Sequence, residues 1–441
     1  MQTSYPDADM GQSKPVSGSE RIESLDIVRG VAVLGILLMN VWSAASPRQV
    51  WDYPLAIADL PGAPLQTWFL VQVLFEGSQR TLFSMLFGAG ALMIIERLSR
   101  GEFAFRAKAI FYRRTGWLII FGLVNAYIFL WPADILYVYG LCGLVLYPLS
   151  KLGNRALVLI IALALSIPAG MRLLDIADLR EARQSYLTAE GNEAAMKPWE
   201  DALEKARPSR DDEEFQESVR IMSEGSFAEI FKKQAISSLI LQTVVTLKWF
   251  FLDALAAMLL GMVFFRLGIL TLNAPRRYLV IMLVAGYGIG LPLSFWETST
   301  MIASDFDPIQ KTQAMLTYDI SRIAMATGHL SLILFFCLAG WGKWVKLRLM
   351  AVGRMALTNY LAQSILSAFI FMSFGLGLYG QLNGYYLFVV VAAIWLIEII
   401  WSSIWLRHFH FGPFEWLWRS LSYGKRQPMR RGSVGEAGLL S

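Results

Sequence analysis

The chain has 441 residues, 56% of them hydrophobic and 17% charged, with a mean hydropathy of +0.48. A water-soluble fold of that make-up lacks the polar surface to cover itself, and its apolar runs far exceed the ~10-residue alternating strands of a membrane barrel, so the class is all-α, a polytopic membrane helix bundle. The net charge of +5 comes from basic residues scattered between apolar runs, which points to the lipid bilayer as partner and away from nucleic acid.

Residues 1–24 are expected to be a cytoplasmic tail. Asp7, Asp9, Glu20 and Glu23, with no apolar stretch among them, exclude a cleavable signal peptide. About ten spans follow, near 27–45, 68–96, 113–131, 134–150, 155–174, 245–266, 278–296, 318–340, 354–375 and 385–406. The second is too long for one ~30 Å crossing at ~1.5 Å per residue. Glu76-Gly77-Ser78 interrupts it, so a short helix and then a true span from about 79 are expected. Spans one to five occupy 25–174, and a polar, extracytoplasmic helical insert occupies 175–233. Within the insert, Glu181 to Lys205 and Glu213 to Phe231 read as helical, broken at Pro208. Spans six to ten fill 234–410, and a basic tail runs over 411–441.

Alternate connections carry the Lys/Arg excess, as the positive-inside rule requires of cytoplasmic loops. Arg97, Arg100, Arg106, Lys108, Arg113 and Arg114 follow span two; Lys343, Lys346, Arg348 and Arg354 precede span nine. The intervening loops are neutral or acidic, as at Glu297, Asp305 and Asp307. Both termini are therefore expected in the cytoplasm. Cys142 and Cys337 fall within spans and read as small apolar packing.

Ionisable groups inside spans cost ~2.5 kcal/mol or more at the bilayer centre, so each needs a partner or a watery cavity. Arg29 and Asn40 are eleven residues apart on span one, about 20° apart in azimuth and about 16 Å in height. Arg29 alternatively snorkels beside Asp26. Glu76 and Arg80 are spaced to pair at i and i+4. Asn125 lies in the outer part of span three, and Asp134 opens span four after the Trp131-Pro132-Ala133 turn, where it also suits a helix start. Tyr318, Arg322 and His329 share a stripe on span eight, and His329 is the only histidine deep in a span. A bundle histidine held by hydrogen bonds is the plainer reading. Asn359, Gln363 and Ser367 form another stripe, and depth places Glu398 beside Asn359. Glu398 is the most isolated membrane acid, either neutral or meeting Arg29, Arg354 or water. His408 and His410 turn to different faces, and no metal site is expected.

Five separated stretches together resemble one family: Arg21 to Asn40, Arg80 to Gly90, Trp131 to Leu136, Gly353 to Ser364, and Gly412 to Arg419. They resemble the YeiB-like bacterial membrane proteins, carriers of the domain of unknown function 418. Span one is also similar to that of the wider transmembrane acyltransferase group, which includes acyltransferase-3 proteins and the lysosomal heparan glucosaminide acetyltransferase. In the acyltransferase-3 pattern a basic residue is followed by ten residues and a histidine; Arg29 stands at the first position and Asn40 at the second. The glucosaminide acetyltransferase branch looks to carry asparagine there as well, with its histidine in the next external loop. Residues 46–67 of this chain hold no histidine, and Asn125 stands where related YeiB-like sequences often show one.

The resemblance implies transfer of an acyl group from a cytoplasmic donor, acyl-CoA, to a membrane or extracytoplasmic lipid or glycan acceptor, with no covalently bound cofactor. Such chemistry needs a base and donors for the oxyanion. Glu76, Asp134 and His329 are the candidate catalytic residues. Arg29, Asn40, Arg80, Asn125, Arg322, Asn359, Gln363 and Glu398 are the candidate substrate-binding residues. A transporter or lipid translocator using the same groups as a substrate or proton path is the second class, although no internal repeat is visible. A non-catalytic assembly partner acting through residues 175–233 is the third. Orientation is directly testable in a chain whose own cysteines are replaced by serine. Arg210→Cys should react with an impermeant maleimide on intact spheroplasts and Lys425→Cys only after permeabilisation; the reverse pattern overturns the assignment.

Overall fold

The computed structural model describes residues 22–100 and 104–431. The expected N-terminal tail up to Arg21, the tail beyond Arg431 and the side chains of Arg100 and Arg106 lie outside the described residues. Helix α1 (Glu23–Ala45) begins with Glu23 and Asp26, whose carboxylates suit the positive end of the helix dipole. After α2 (Arg48–Asp52), the expected break separates α3 (Pro64–Phe75) from α4 (Ser78–Arg100). Glu76 is extended there and Gly77 is left-handed at φ 64°; a side chain on Gly77 would also collide with the Tyr318 hydroxyl.

Helices α5 (Ala104–Tyr127), α6 (Ile135–Leu149) and α7 (Asn154–Leu187) follow. The 34 residues of α7 reach about 51 Å, well beyond a ~30 Å core, so its far end belongs to the polar insert. The insert is therefore segmented differently from expectation. Glu181 ends up in α7, and a new helix α8 (Glu193–Ala206) starts only after Glu190 and Gly191 turn left-handed and Asn192 caps it. Helix α9 (Glu213–Glu224) likewise stops at Gly225, before the Ser226–Glu229 capping box opens α10 (Phe227–Ile240). The break around Pro208 is where it was expected.

Helix α10 runs through a wide π segment, Leu241–Phe250, into α11 (Phe251–Arg266), making one 40-residue rod. The remaining helices are α12 (Arg276–Ala303), α13 (Pro308–Ala314), α14 (Tyr318–Leu338), α15 (Lys343–Arg354), α16 (Ala356–Phe371), α17 (Tyr385–His408) and α18 (Pro413–Tyr423). Glu297, expected in a loop, lies inside α12 because that helix continues seven residues past the span read from hydropathy; it is buried and accepts bonds from Thr317 and Ser321. Among the described residues, seven helical stretches are long and apolar enough to cross a membrane: α1, α3 with α4, α7, α10 with α11, α12, α14 and α17. Shorter apolar helices α6 and α16 accompany them. Among the described residues there is no strand, only one isolated bridge between Phe409 and Arg430. The protein is an all-helical, multi-pass membrane protein.

Helices α15 and α18 form where no span is expected, and α18 explains a sequence motif. The Glu415 carboxylate accepts hydrogen bonds from the Leu357 and Thr358 amides at 2.7 and 3.0 Å and from the Thr358 hydroxyl at 2.5 Å, completing the first turn of α16. Burial raises the Glu415 carboxyl above its ordinary value, and the bonds from Thr358 and Leu357 restrain the rise. Thus the Gly353–Ser364 and Gly412–Arg419 stretches interlock.

The central contact is between α4 and α11, where Gly88 lies against the Met258 backbone and Gly261 against the Met85 backbone. Neither helix has room for a Cβ, so the two rods approach to backbone contact, as small residues permit in membranes. Gly261→Leu should lower the thermal midpoint of the detergent-solubilised protein by the equivalent of about 1–3 kcal/mol. Gly116→Leu, where a Cβ meets nothing within 4 Å, should leave it unchanged.

Candidate functional site

A cavity of about 120 Å³ lies at the Asn40 end of α1, enclosed by α1, α4, α6 and the π segment with α11. The wide π turn spaces Gln242, Thr246 and Phe250 along the cavity wall and delivers Asp253 behind them; such turns recur at functional sites. Asn40, Glu76, Gln79, Arg80 and Asp134 face the same space. Gln79 Oε1, Arg80 Nε and Gln242 Nε2 are buried and have no hydrogen-bond partner. Unmet polar atoms of that kind are costly in a membrane interior and mark where a polar ligand or water is accommodated.

The cavity backs onto a chain of ion pairs. Arg80 Nη2 pairs with Asp253 Oδ2 at 3.0 Å, and the Arg80 guanidinium also covers the Phe250 ring at 5.0 Å. Asp253 contacts Arg322, which bonds Asp319 through Nε and Nη2 at 3.2 and 3.0 Å and the Thr81 hydroxyl at 2.7 Å. Asp319 in turn binds Arg172 at 2.6 Å, whose guanidinium lies over the Trp249 and Tyr318 rings. The Tyr318 hydroxyl donates to Glu76 at 2.9 Å. Arg80, Arg172 and Arg322 thereby share Asp253 and Asp319 across α4, α7, α11 and α14, and Glu76 joins the chain through the Tyr318 hydroxyl.

Glu76 and Arg80 do not pair with each other as the i, i+4 spacing suggests. Glu76 lies in the extended link before α4 begins, so the two are not on one helix, and their partners are Tyr318 and Asp253. Asn125 donates to Asp134 at 2.8 Å, so it supports the cavity wall from behind. Asp134 also accepts from the Tyr137 amide at 2.7 Å and the Tyr360 hydroxyl at 3.3 Å, acting as the N-cap of α6.

The Tyr318, Arg322 and His329 stripe divides among different neighbours. Arg322 turns to α4 and α11, whereas His329 lies between α3 and α12, away from the cavity. Its Nε2 must donate to the Leu74 carbonyl at 2.8 Å, so Nδ1 accepts from the Tyr287 hydroxyl at 2.8 Å. Both nitrogens are committed. Arg29 pairs with Asp26 at 3.0 Å and does not line the cavity.

A second polar group lies between α1, α16 and α17. The expected Glu398–Asn359 contact is replaced by Glu398–Gln363 at 3.1 Å, one helical turn along α16. Gln363 also donates to the Val33 carbonyl, while Asn359 joins Ser402, Trp401 and the Val352 carbonyl. Arg29 and Arg354 do not reach Glu398. Among the described residues no group of three or more His, Cys, Asp or Glu could hold a metal, and Cys142 and Cys337 are free.

Sequence reading missed Asp253, Asp319, Arg172, Gln79, Gln242 and Thr246. The signal was present for the first three, since acids in spans six and eight and an arginine in span five each require a partner. Asp253→Asn keeps the side-chain shape but leaves Arg80 and Arg322 one charge short. It should destabilise the protein by about 3–5 kcal/mol, read as a lower midpoint and loss of monodispersity in gel filtration. Glu217→Gln, on an exposed insert pair, should change neither.

Residues 264–425 match the family model described as protein of unknown function, DUF418. The uncharacterized protein YxaH of Bacillus subtilis (strain 168) is 26% identical over 96% of this chain and 99% of its own length. The uncharacterized protein YeiB of Escherichia coli (strain K12) is 28% identical over 91% of this chain and 96% of its own. No solved structure matches the chain.

Proposed function

This chain belongs to the YeiB-like DUF418 family, and from that premise we propose that it is an inner-membrane acyltransferase of about ten spans. Both termini and the basic α15 and α18 lie on the cytoplasmic side, and the 175–233 insert with the Asn40 end of α1 lies outside. The donor is acyl-CoA and the acceptor a membrane or extracytoplasmic lipid or glycan. The observation that carries this reading is the cavity itself. The α1 position that resembles the catalytic position of the acyltransferase group, Asn40, lines a space into which buried, unpartnered donors and a carboxylate converge.

In the proposed reaction the acceptor's hydroxyl or amine attacks the thioester carbonyl carbon in this cavity. Glu76 takes the acceptor's proton, the new C–O or C–N bond forms as the C–S bond breaks, and Glu76 returns the proton to the leaving thiolate. Arg80 Nε and Gln242 Nε2 stabilise the oxyanion of the tetrahedral intermediate, and Asn40 orients the carbonyl. Asp134 holds the Trp131-Pro132-Ala133 turn at the cavity rim with Asn125 and Tyr360. Arg322 positions Asp253 and through it Arg80. The apolar wall of Ile36, Val138 and Ala254 excludes bulk water from the thioester.

Purified protein in proteoliposomes, given radiolabelled acyl-CoA and a membrane extract as acceptor, should transfer label to lipid or glycan. Glu76→Gln should lower kcat by about 10²–10⁴-fold and Gln242→Leu by about 10²-fold, with KM little changed. Absence of acyl-CoA binding and turnover in wild-type protein, or a full rate in Glu76→Gln, overturns the proposal. The transport reading draws on the Glu398–Gln363 pair, since Glu398 Oε1 and Gln363 Oε1 are buried without partners. It predicts gradient-dependent uptake lost in Glu398→Gln, with no acyl transfer.

A further inference from the structure

A second cavity, of about 540 Å³, opens at the Asp26 end of the bundle, distant in sequence and lining from the one above. The start of α1, the link from α11 to α12, the end of α14 and α15 enclose it. Its charged groups are Lys343, Lys346 and Glu23, and much of its wall is apolar, including Ile27, Leu347 and Met350.

These three charges are differently prepared. Lys346 Nζ donates to the Cys337 and Ala339 carbonyls at the end of α14, which fixes its ammonium in the wall. Lys343 and Glu23 are exposed, and among the described residues neither side chain has a hydrogen-bond or ion-pair partner. No side chain caps α15 at Gly342, so the first-turn amides beside Lys343 add to the positive potential. Trp341 and Trp344 flank this corner, 71% and 66% exposed. Large apolar indoles left uncovered beside lysines are the pattern of residues resting at headgroup depth.

We propose that this cavity binds a phospholipid through a phosphoethanolamine headgroup. Lys343 and Lys346 take the phosphate, Glu23 takes the ammonium, and the glycerol and first acyl carbons lie along Leu347 and Met350. The charge pattern selects this occupant. An anionic glycerol headgroup leaves Glu23 facing like charge, a trimethylammonium offers Glu23 no N–H, and inorganic phosphate leaves the apolar wall bare.

The test uses the full chain, delipidated in mild detergent and titrated separately with short-chain phosphatidylethanolamine, phosphatidylglycerol and phosphatidylcholine. Native mass spectrometry reads the bound lipid and a thermal midpoint reads its effect. One phosphatidylethanolamine should be retained in preference to the other two. Lys343→Gln should weaken phosphatidylethanolamine and phosphatidylglycerol alike by about fivefold, the effect of one basic group at a membrane surface, and Lys343→Arg should restore both. Glu23→Gln should weaken phosphatidylethanolamine alone. Equal binding of all three lipids, indifference of phosphatidylethanolamine to Glu23→Gln, or an equal midpoint shift from inorganic phosphate each overturns the proposal. Lys343 and Glu23 are exposed, so both variants remain folded, as a single gel-filtration peak will record.

Discussion

The guanidinium of Arg322 is wholly enclosed, and the bundle around the cavity is organised by its need for counter-charge. An arginine deep in a span is tolerable only when carboxylates and hydroxyls replace its water. Here Asp253, Asp319 and Thr81 do so from three helices. Each of those carboxylates also serves a second arginine, Arg80 or Arg172, so no pair can be assembled in isolation. Helices α4, α7, α11 and α14 must close together or leave a charge in lipid. The cavity inherits its shape from that closure, because Arg80, on its wall, is held by Asp253 at its back.

Hydropathy made the membrane class and most helix positions legible, and Glu76-Gly77-Ser78 was readable as a break because glycine alone suits the left-handed turn there. The Asn125 and Asp134 neighbourhood was also legible, since a tight turn joins the two helices. Partner choice across the bundle was not. Periodicity gives the face on which Arg80 or His329 lies but not the helix opposite it, so Asp253 went unseen and His329 was grouped with Arg322. Depth was readable only to about a turn, and the slip from Asn359 to Gln363 opposite Glu398 is one turn in size. The cavity-facing Gln242 and Thr246 sit in a π segment, where the ordinary 3.6-residue period does not apply.

Polar atoms in this bundle fall into two groups with different degrees of satisfaction. In the ion-pair chain Arg80, Arg172 and Arg322 share Asp253 and Asp319, and these contacts read as architecture. The cavity amides, the Arg80 Nε atom and the Glu398–Gln363 oxygens are left open. Open atoms also occur elsewhere, as at the Trp42 and Trp131 indoles, so it is their gathering around one space that sets the cavity apart in a protein whose surroundings supply no hydrogen bonds.

The bond from Glu415 to the start of α16 has a consequence for biosynthesis. The Leu357 amide waits for a partner 58 residues further along the chain. Both α16 and α17 therefore precede, in the order of synthesis, the carboxylate that satisfies the first turn of α16. A chain that stops short of α18 lacks that carboxylate and leaves the Leu357 and Thr358 amides of α16 without it. The Gly412–Arg419 stretch is thus part of how α16 begins, although a whole helix separates the two in the chain.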